Sequence, residues 1–224
     1  MREAIENLYM AFRRYHSKGT AAPCPCCHDE NAGETLQRVP LRQLSNRDLH
    51  EFAFDALNVW GSVNDWKHYL PRILELCSLG DLDTDIEIVL SKIGRAKWME
   101  WPAEEQQAMR QFLLAFWRKL LSEFPGVQDV SEVMTGLANI EYDLKPYLAI
   151  WLDMLGQQPA DKHLMRFIET ECNTLRKGRL ANAFFEISRR AQANQIYEWL
   201  RSDAMVEKVI NLDGELVGFV DWMF

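Results

Sequence analysis

No stretch of this 224-residue sequence stays apolar for long, because charged side chains interrupt every hydrophobic run, so no segment is expected to span a bilayer. Convincing strands are also missing. The closest candidate is the tail Glu215-Leu216-Val217-Gly218-Phe219-Val220 after the turn-like Asp213-Gly214, and a lone strand has nothing to pair with, so an apolar tail folded back on the core is the better reading. With eleven glycines, the chain contains no phosphate-cradling loop, dinucleotide fingerprint or nucleophile elbow. Positive charge is in the minority: 25 Lys and Arg face 33 Asp and Glu, a net charge of −8. Proteins that hold nucleic acid by its phosphates are basic on at least one face, so no nucleic-acid partner is expected. The densest basic groups, Arg13-Arg14 with Lys18, Arg176-Lys177-Arg179 and Arg189-Arg190, lie on or beside expected helices with acids nearby and read as solvated faces. The opening Met1-Arg2-Glu3-Ala4-Ile5-Glu6 has no apolar signal region behind it, and the expectation is a cytoplasmic protein.

What the chain does have is helical periodicity. Hydrophobic residues make up 48% of it, enough for a substantial core. Leu49, Phe52, Ala53, Ala56, Leu57 and Trp60 recur at i, i+3, i+4, i+7, i+8 and i+11. The same spacing returns in Trp66, Tyr69, Leu70, Ile73, Leu74 and Cys77, and again in Leu144, Tyr147, Leu148, Trp151, Leu152 and Leu155. Helices are expected at approximately 2–17, 46–60, 64–78, 84–97, 102–124, 129–140, 143–155, 159–177, 181–201 and 203–211. The fold class is all-α: about ten helices in antiparallel hairpins, as an irregular helical array or a multi-helix bundle. The chain reads as a single domain over residues 1–224, divisible into lobes 1–97 and 98–224.

Capping signals agree with these limits. Ser45 with Asp48 resembles a capping box, Asn64 can cap the next helix, Gly61 and Gly80 close helices, and Pro102 suits a first turn. Pro71 conflicts, since an interior proline costs about 3 kcal/mol. A kink or two short helices are expected there.

The sharpest chemical feature is Cys24-Pro25-Cys26-Cys27-His28. Three thiols and an imidazole are competent zinc ligands. Structural zinc sites, however, pair two separated knuckles, and adjacent positions wrap one tetrahedral ion poorly. Zinc, a redox or metal-sensing thiol cluster and a plain structural loop are three readings, with the loop favoured and no cofactor expected. Cys77 and Cys172 fall on apolar stripes and read as packing residues.

Cys24-Pro25-Cys26-Cys27, then Leu41-Arg42-Gln43-Leu44-Ser45 with Asp48-Leu49, then Trp60-Gly61-Ser62-Val63-Asn64-Asp65-Trp66-Lys67-His68 and Leu70-Pro71-Arg72-Ile73-Leu74-Glu75-Leu76, form a distinctive order. Over residues 24–77 the chain resembles a family of bacterial cytosolic helical proteins in which a cysteine-rich loop precedes such a block. The resemblance implies a bacterial source and no particular chemistry.

Other motifs fail on inspection. His50-Glu51 begins like a metalloprotease motif, but Phe54 stands where the second ligand belongs. Asp81-Leu82-Asp83-Thr84-Asp85 begins like a calcium loop, but Ile86 replaces the turn glycine and Lys92 the final acid. Asp65 and His68, three apart, could pair for acid–base work or form a surface ion pair. With Trp60, Trp66 and Arg72 they make the most distinctive polar–aromatic patch in the chain and the first candidate binding site. Trp98 and Trp101 read as caps on the core, with an exposed partner-binding anchor as the alternative.

Three functions follow. The first is a non-enzymatic protein-binding protein with a basic protein partner, in its specific form an immunity or antitoxin protein that neutralises a basic toxin. The second is a metal- or thiol-dependent protein built on Cys24, Cys26, Cys27 and His28. The third is an enzyme whose site assembles across helices from side chains such as Glu51, Asp55, Asp65 and His68.

Overall fold

Among the described residues, which are 1–17, 33–180 and 190–210, the computed structural model is built from helices and has no strand. The cysteine loop Cys24–His28, the start of the helix expected from residue 181, and the tail at Glu215–Val220 lie outside the described residues. The described residues form eleven α-helices: α1 (Arg2–Phe12), α2 (Glu34–Arg38), α3 (Asn46–Asp55), α4 (Val63–Leu79), α5 (Ile86–Arg95), α6 (Ala103–Ser122), α7 (Val130–Ile140), α8 (Lys145–Met154), α9 (Gln158–Leu175), α10 (Arg190–Leu200) and α11 (Asp203–Ile210). Short 3-10 turns at Leu41–Gln43 and Trp98–Glu100 join them. No helix of the described residues is long and apolar enough to cross a membrane.

The apolar stripes are the core. Trp66, Tyr69, Leu70, Ile73, Leu74 and Cys77 of α4 are each fully buried, as are Leu49, Phe52 and Ala53 of α3. Each large side chain so placed contributes about 1.5–3 kcal/mol. Burial pushes the Cys77 thiol up to about 12, so it stays protonated as a packing group.

The chain divides into two compact units, Met1–Phe116 and Trp117–Phe224, with the division falling inside α6. In the first, α1 packs on α4, and α3 packs on both α4 and α5. In the second, α9 packs on α7 and α10, while α8 packs on α10 and α11. Many contacts thus join helices that are not neighbours in sequence.

Several boundaries differ from the periodicity. The stripe ending at Trp60 outruns its helix: α3 stops at Asp55, and Leu57 takes a left-handed backbone (φ 64°) while its N–H donates to the Trp60 carbonyl at 3.0 Å. Ala56 and Trp60 are buried all the same, by a tight turn rather than by a helical face. Ser62, not Asn64, caps α4. Its N–H and hydroxyl both donate to Asp65 Oδ2, at 2.8 and 2.6 Å, and its hydroxyl accepts from the Asp65 N–H. The expected Ser45–Asp48 capping box is formed at α3. Pro71 does not divide α4, which continues to Leu79 and is closed by Gly80 at φ 75°. The buried residues on either side of the proline hold that helix together. Helix α2 and the turn after it lie where the sequence pattern gave no expectation.

Candidate functional site

Within the conspicuous block Trp60–Arg72, the aromatic rings and Asp65 face inward, while Ser62, Val63 and Asn64 are exposed. Trp60 is 3% exposed, Asp65 3% and Trp66 0%. Phe52 meets the Trp60 ring edge-on at 5.7 Å and the Tyr69 ring at 4.8 Å. Asp65 and His68 do not pair. Asp65 is occupied by Ser62, with Ser17 Oγ donating to its other oxygen at 3.3 Å. His68 is half-buried and its Nδ1–H donates to the Tyr15 carbonyl at 2.9 Å. Burial lowers the His68 pKa below the usual imidazole range, outweighing that bond. Arg72 Nε donates to the Leu44 carbonyl (2.7 Å), and its Nη1 donates to Glu75 Oε2 (2.7 Å), which also accepts from the Tyr9 hydroxyl (2.7 Å). Burial and that carboxylate raise the Tyr9 pKa.

The tryptophans after α5 are buried too: Trp98 is 1% and Trp101 6% exposed, which removes the exposed-anchor alternative and leaves them as caps on the core. Trp101 Nε1 donates to the Ala96 carbonyl at 2.7 Å. Its ring lies 4.3 Å from the Lys67 ammonium, a cation–π contact worth about 2 kcal/mol when desolvated. Lys67 in turn meets Glu105, fully buried at the start of α6, at 2.8 Å. The Tyr15 hydroxyl donates to the other Glu105 oxygen at 2.7 Å, and Arg14 also pairs with it. Both carboxylate oxygens are satisfied. Such a pair is costly to break from one side, about 3–5 kcal/mol, because a bare buried charge is left behind. This cluster therefore ties α1, α4 and α6 together in the first unit. Glu105 and Tyr15, which carry it with Lys67, are single residues with no local motif to mark them.

Of the four side chains of the across-helix enzyme reading, Asp65 and His68 are thus each held by a structural partner, while Glu51 is exposed and Asp55 half-buried on α3. Among the described residues no three His, Cys, Asp or Glu side chains gather as a metal site. That says nothing of Cys24, Cys26, Cys27 and His28, which lie outside those residues.

An open site does occur in the second unit. Helices α8 and α10 bound a groove of about 560 Å³. One wall is Lys145, Leu148, Ala149 and Leu152; the other is Ala191, Asn194, Gln195, Glu198 and Trp199. Both sets follow the i, i+3, i+4, i+7 spacing, so each wall is one continuous helix face. Ala149 and Ala191 are exposed, and their methyl groups leave the space that larger side chains would fill. The groove is apolar between the helices and polar at its rim. Gln195 is already committed: its Oε1 accepts from the Leu144 N–H at 2.8 Å and its Nε2 donates to the Tyr142 carbonyl at 3.0 Å. The Trp199 ring leans on Trp151 at 5.5 Å, and its buried Nε1 meets no acceptor among the described residues.

The chain matches no protein-family model, no curated protein and no solved structure.

Proposed function

We propose that this is a non-enzymatic protein-binding protein that docks a basic protein in the groove between α8 and α10. The observation that carries the reading is the groove itself: two helix faces that leave Ala149 and Ala191 exposed and Leu152 and Trp199 half-exposed between them, with buried Leu148 also in the lining. An open apolar groove between two helices can take the apolar face of a partner segment. The net charge of −8 supports a basic partner, because opposite charge speeds encounter and repels wrong partners. In its specific form the protein is a bacterial cytoplasmic immunity or antitoxin protein, blocking a basic toxin.

The test is affinity purification of the wild-type chain and of Ala191→Trp from the cells that encode it. A basic protein recovered in stoichiometric amount with the wild type, and lost with Ala191→Trp at unchanged melting temperature, is the expected result. For the specific form, that protein is toxic alone and harmless when this chain is co-expressed. A wild-type chain that purifies without any stoichiometric partner, or a partner that Ala191→Trp retains, removes the reading.

A further inference from the structure

We infer that the occupant of the α8–α10 groove is an amphipathic helix: a two- to three-turn segment of the basic partner, with an apolar stripe facing inward and Lys or Arg along its flanks. This rests on the protein-binding reading above and adds to it the form of the bound segment.

The dimensions fit a third rod. The lining residues run from Lys145 to Leu152 on one wall and from Ala191 to Trp199 on the other, about 11–12 Å of helix, or two to three turns. Helix axes pack about 8–10 Å apart, closest where the contact side chains are small. The two exposed alanines, one on each wall, supply that close approach. Leu152 and Trp199, both half-exposed, supply the apolar surface against which i, i+3, i+4 and i+7 anchors of an incoming helix would rest.

The chemistry of the lining favours a helix over a small molecule. Sites for small ligands orient them with a few convergent polar groups. Here the amide of Gln195 is spent on the backbone of Tyr142 and Leu144, and Lys145, Asn194 and Glu198 stand at the rim on exposed positions. A regular helix brings no unsatisfied backbone groups into an apolar groove, whereas an extended peptide would bring both its N–H and C=O groups. Charge selects the flanks. Glu198 lies in the lining and exposed Asp153 stands four residues after Ala149, while Lys145 also lies in the lining and exposed Arg190 and Arg201 stand four residues before Asn194 and three after Glu198, so the groove itself carries no acidic excess. The acidic excess is that of the whole chain, −8, and it is this longer-range field that favours Lys or Arg on the flanks.

The probe is a labelled synthetic peptide of fourteen or so residues, with Leu at i, i+3, i+4 and i+7, and Lys and Ala elsewhere. A scrambled peptide of identical composition and a Glu-for-Lys version accompany it. Fluorescence anisotropy with the full chain is expected to give saturable binding to the patterned peptide. Binding should be at least ten-fold weaker for the scramble and the acidic version, and at least ten-fold weaker to Ala191→Arg. Ala149→Arg serves as a second variant should Ala191→Arg melt early. Equal binding of patterned and scrambled peptides means adsorption to an acidic surface and overturns the inference. So does a chain dimer dissociated by Ala191→Arg, which makes a second copy the occupant, or a co-purifying small molecule that the same variant releases. If Ala191→Arg releases a protein partner while no peptide binds, the helix inference falls and the protein-binding reading stands. If a partner is retained by Ala191→Arg, the groove reading falls first.

Discussion

Lys92 is a residue whose charge the fold accommodates badly. It is 1% exposed on α5, and burial lowers its pKa from 10.5 to about 8, with Arg95 adding to the shift and Asp55 opposing it. Because the folded pKa lies below the unfolded one, the unfolded chain holds more protons between about pH 8 and 10.5. Stability linked to this group therefore rises as pH climbs through that window, and below about pH 8 the full penalty of a buried ammonium is present. Lys92→Met, similar in shape and uncharged, is expected to stabilise the chain at pH 7 by about 1 kcal/mol or more. That advantage should shrink toward zero as the pH approaches 10.5. Urea titrations of both proteins at pH 7 and pH 10 check this. Tyr9 and Cys77 also titrate in the alkaline range, but equally in both proteins, so they cancel in the difference. A variant that is less stable at pH 7, or a difference that does not change with pH, would contradict the account. Nothing in the sequence marks Lys92, because its helix position becomes informative only once the neighbouring helix α3 covers it.

At the scale of elements, the Trp60-Gly61-Ser62 segment turns the chain from α3 into α4, and it explains why that block stands out in the sequence. Gly61 has φ 68°, and a Cβ there would lie 3.2 Å from Asp65 Cβ and 3.3 Å from Phe52 Cε2. Gly61→Ala therefore meets backbone strain of about 1–2 kcal/mol together with tight contacts to the capping carboxylate and a core ring. Ser62→Ala removes only the cap, about 1 kcal/mol. The expected order of melting temperatures is wild type, then Ser62→Ala, then Gly61→Ala, measured by circular dichroism. Gly61→Ala melting with the wild type would show that the turn relaxes freely. The same element shows what was legible in advance. The α4 stripe was readable residue by residue because every member is buried by its own helix face. The end of α3 was not, since Ala56 and Trp60 continue the helical spacing while a left-handed Leu57 carries them inward by another route. The spacing of Asp65 and His68 suggests an acid–base pair or a surface ion pair, because aspartate, histidine and arginine are usually exposed. Here Ser62 and Glu75 stand three residues from Asp65 and Arg72 along α4, while the Tyr15 and Leu44 carbonyls come from other segments that spacing along one helix does not reveal.

At the scale of the molecule, charge and groove act at different stages of binding, and they can be separated by kinetics. Of the groove, Leu148 and Leu152 belong to the α8 stripe, whose spacing implies core, and Leu148 is buried as that spacing implies. Leu152 is half-exposed, and the alanines that open the site, Ala149 and Ala191, carry no chemical signal until two helices are set side by side. The charge of −8, by contrast, is a property of composition and acts over distance. The screening length shortens from about 10 Å at 0.1 M salt to about 3 Å at 1 M, so steering of a basic partner fades while buried apolar contacts do not. Raising NaCl from 50 to 500 mM is expected to slow association with the basic partner or patterned peptide about ten-fold or more, with little change in dissociation. Ala191→Arg should act chiefly the other way, by speeding dissociation, because most losses at a packed contact appear in the off-rate. Stopped-flow measurements at several salt concentrations resolve the two. An association rate indifferent to salt would mean that the acidic excess plays no part in choosing the partner, and the apolar groove would then have to supply the selectivity alone.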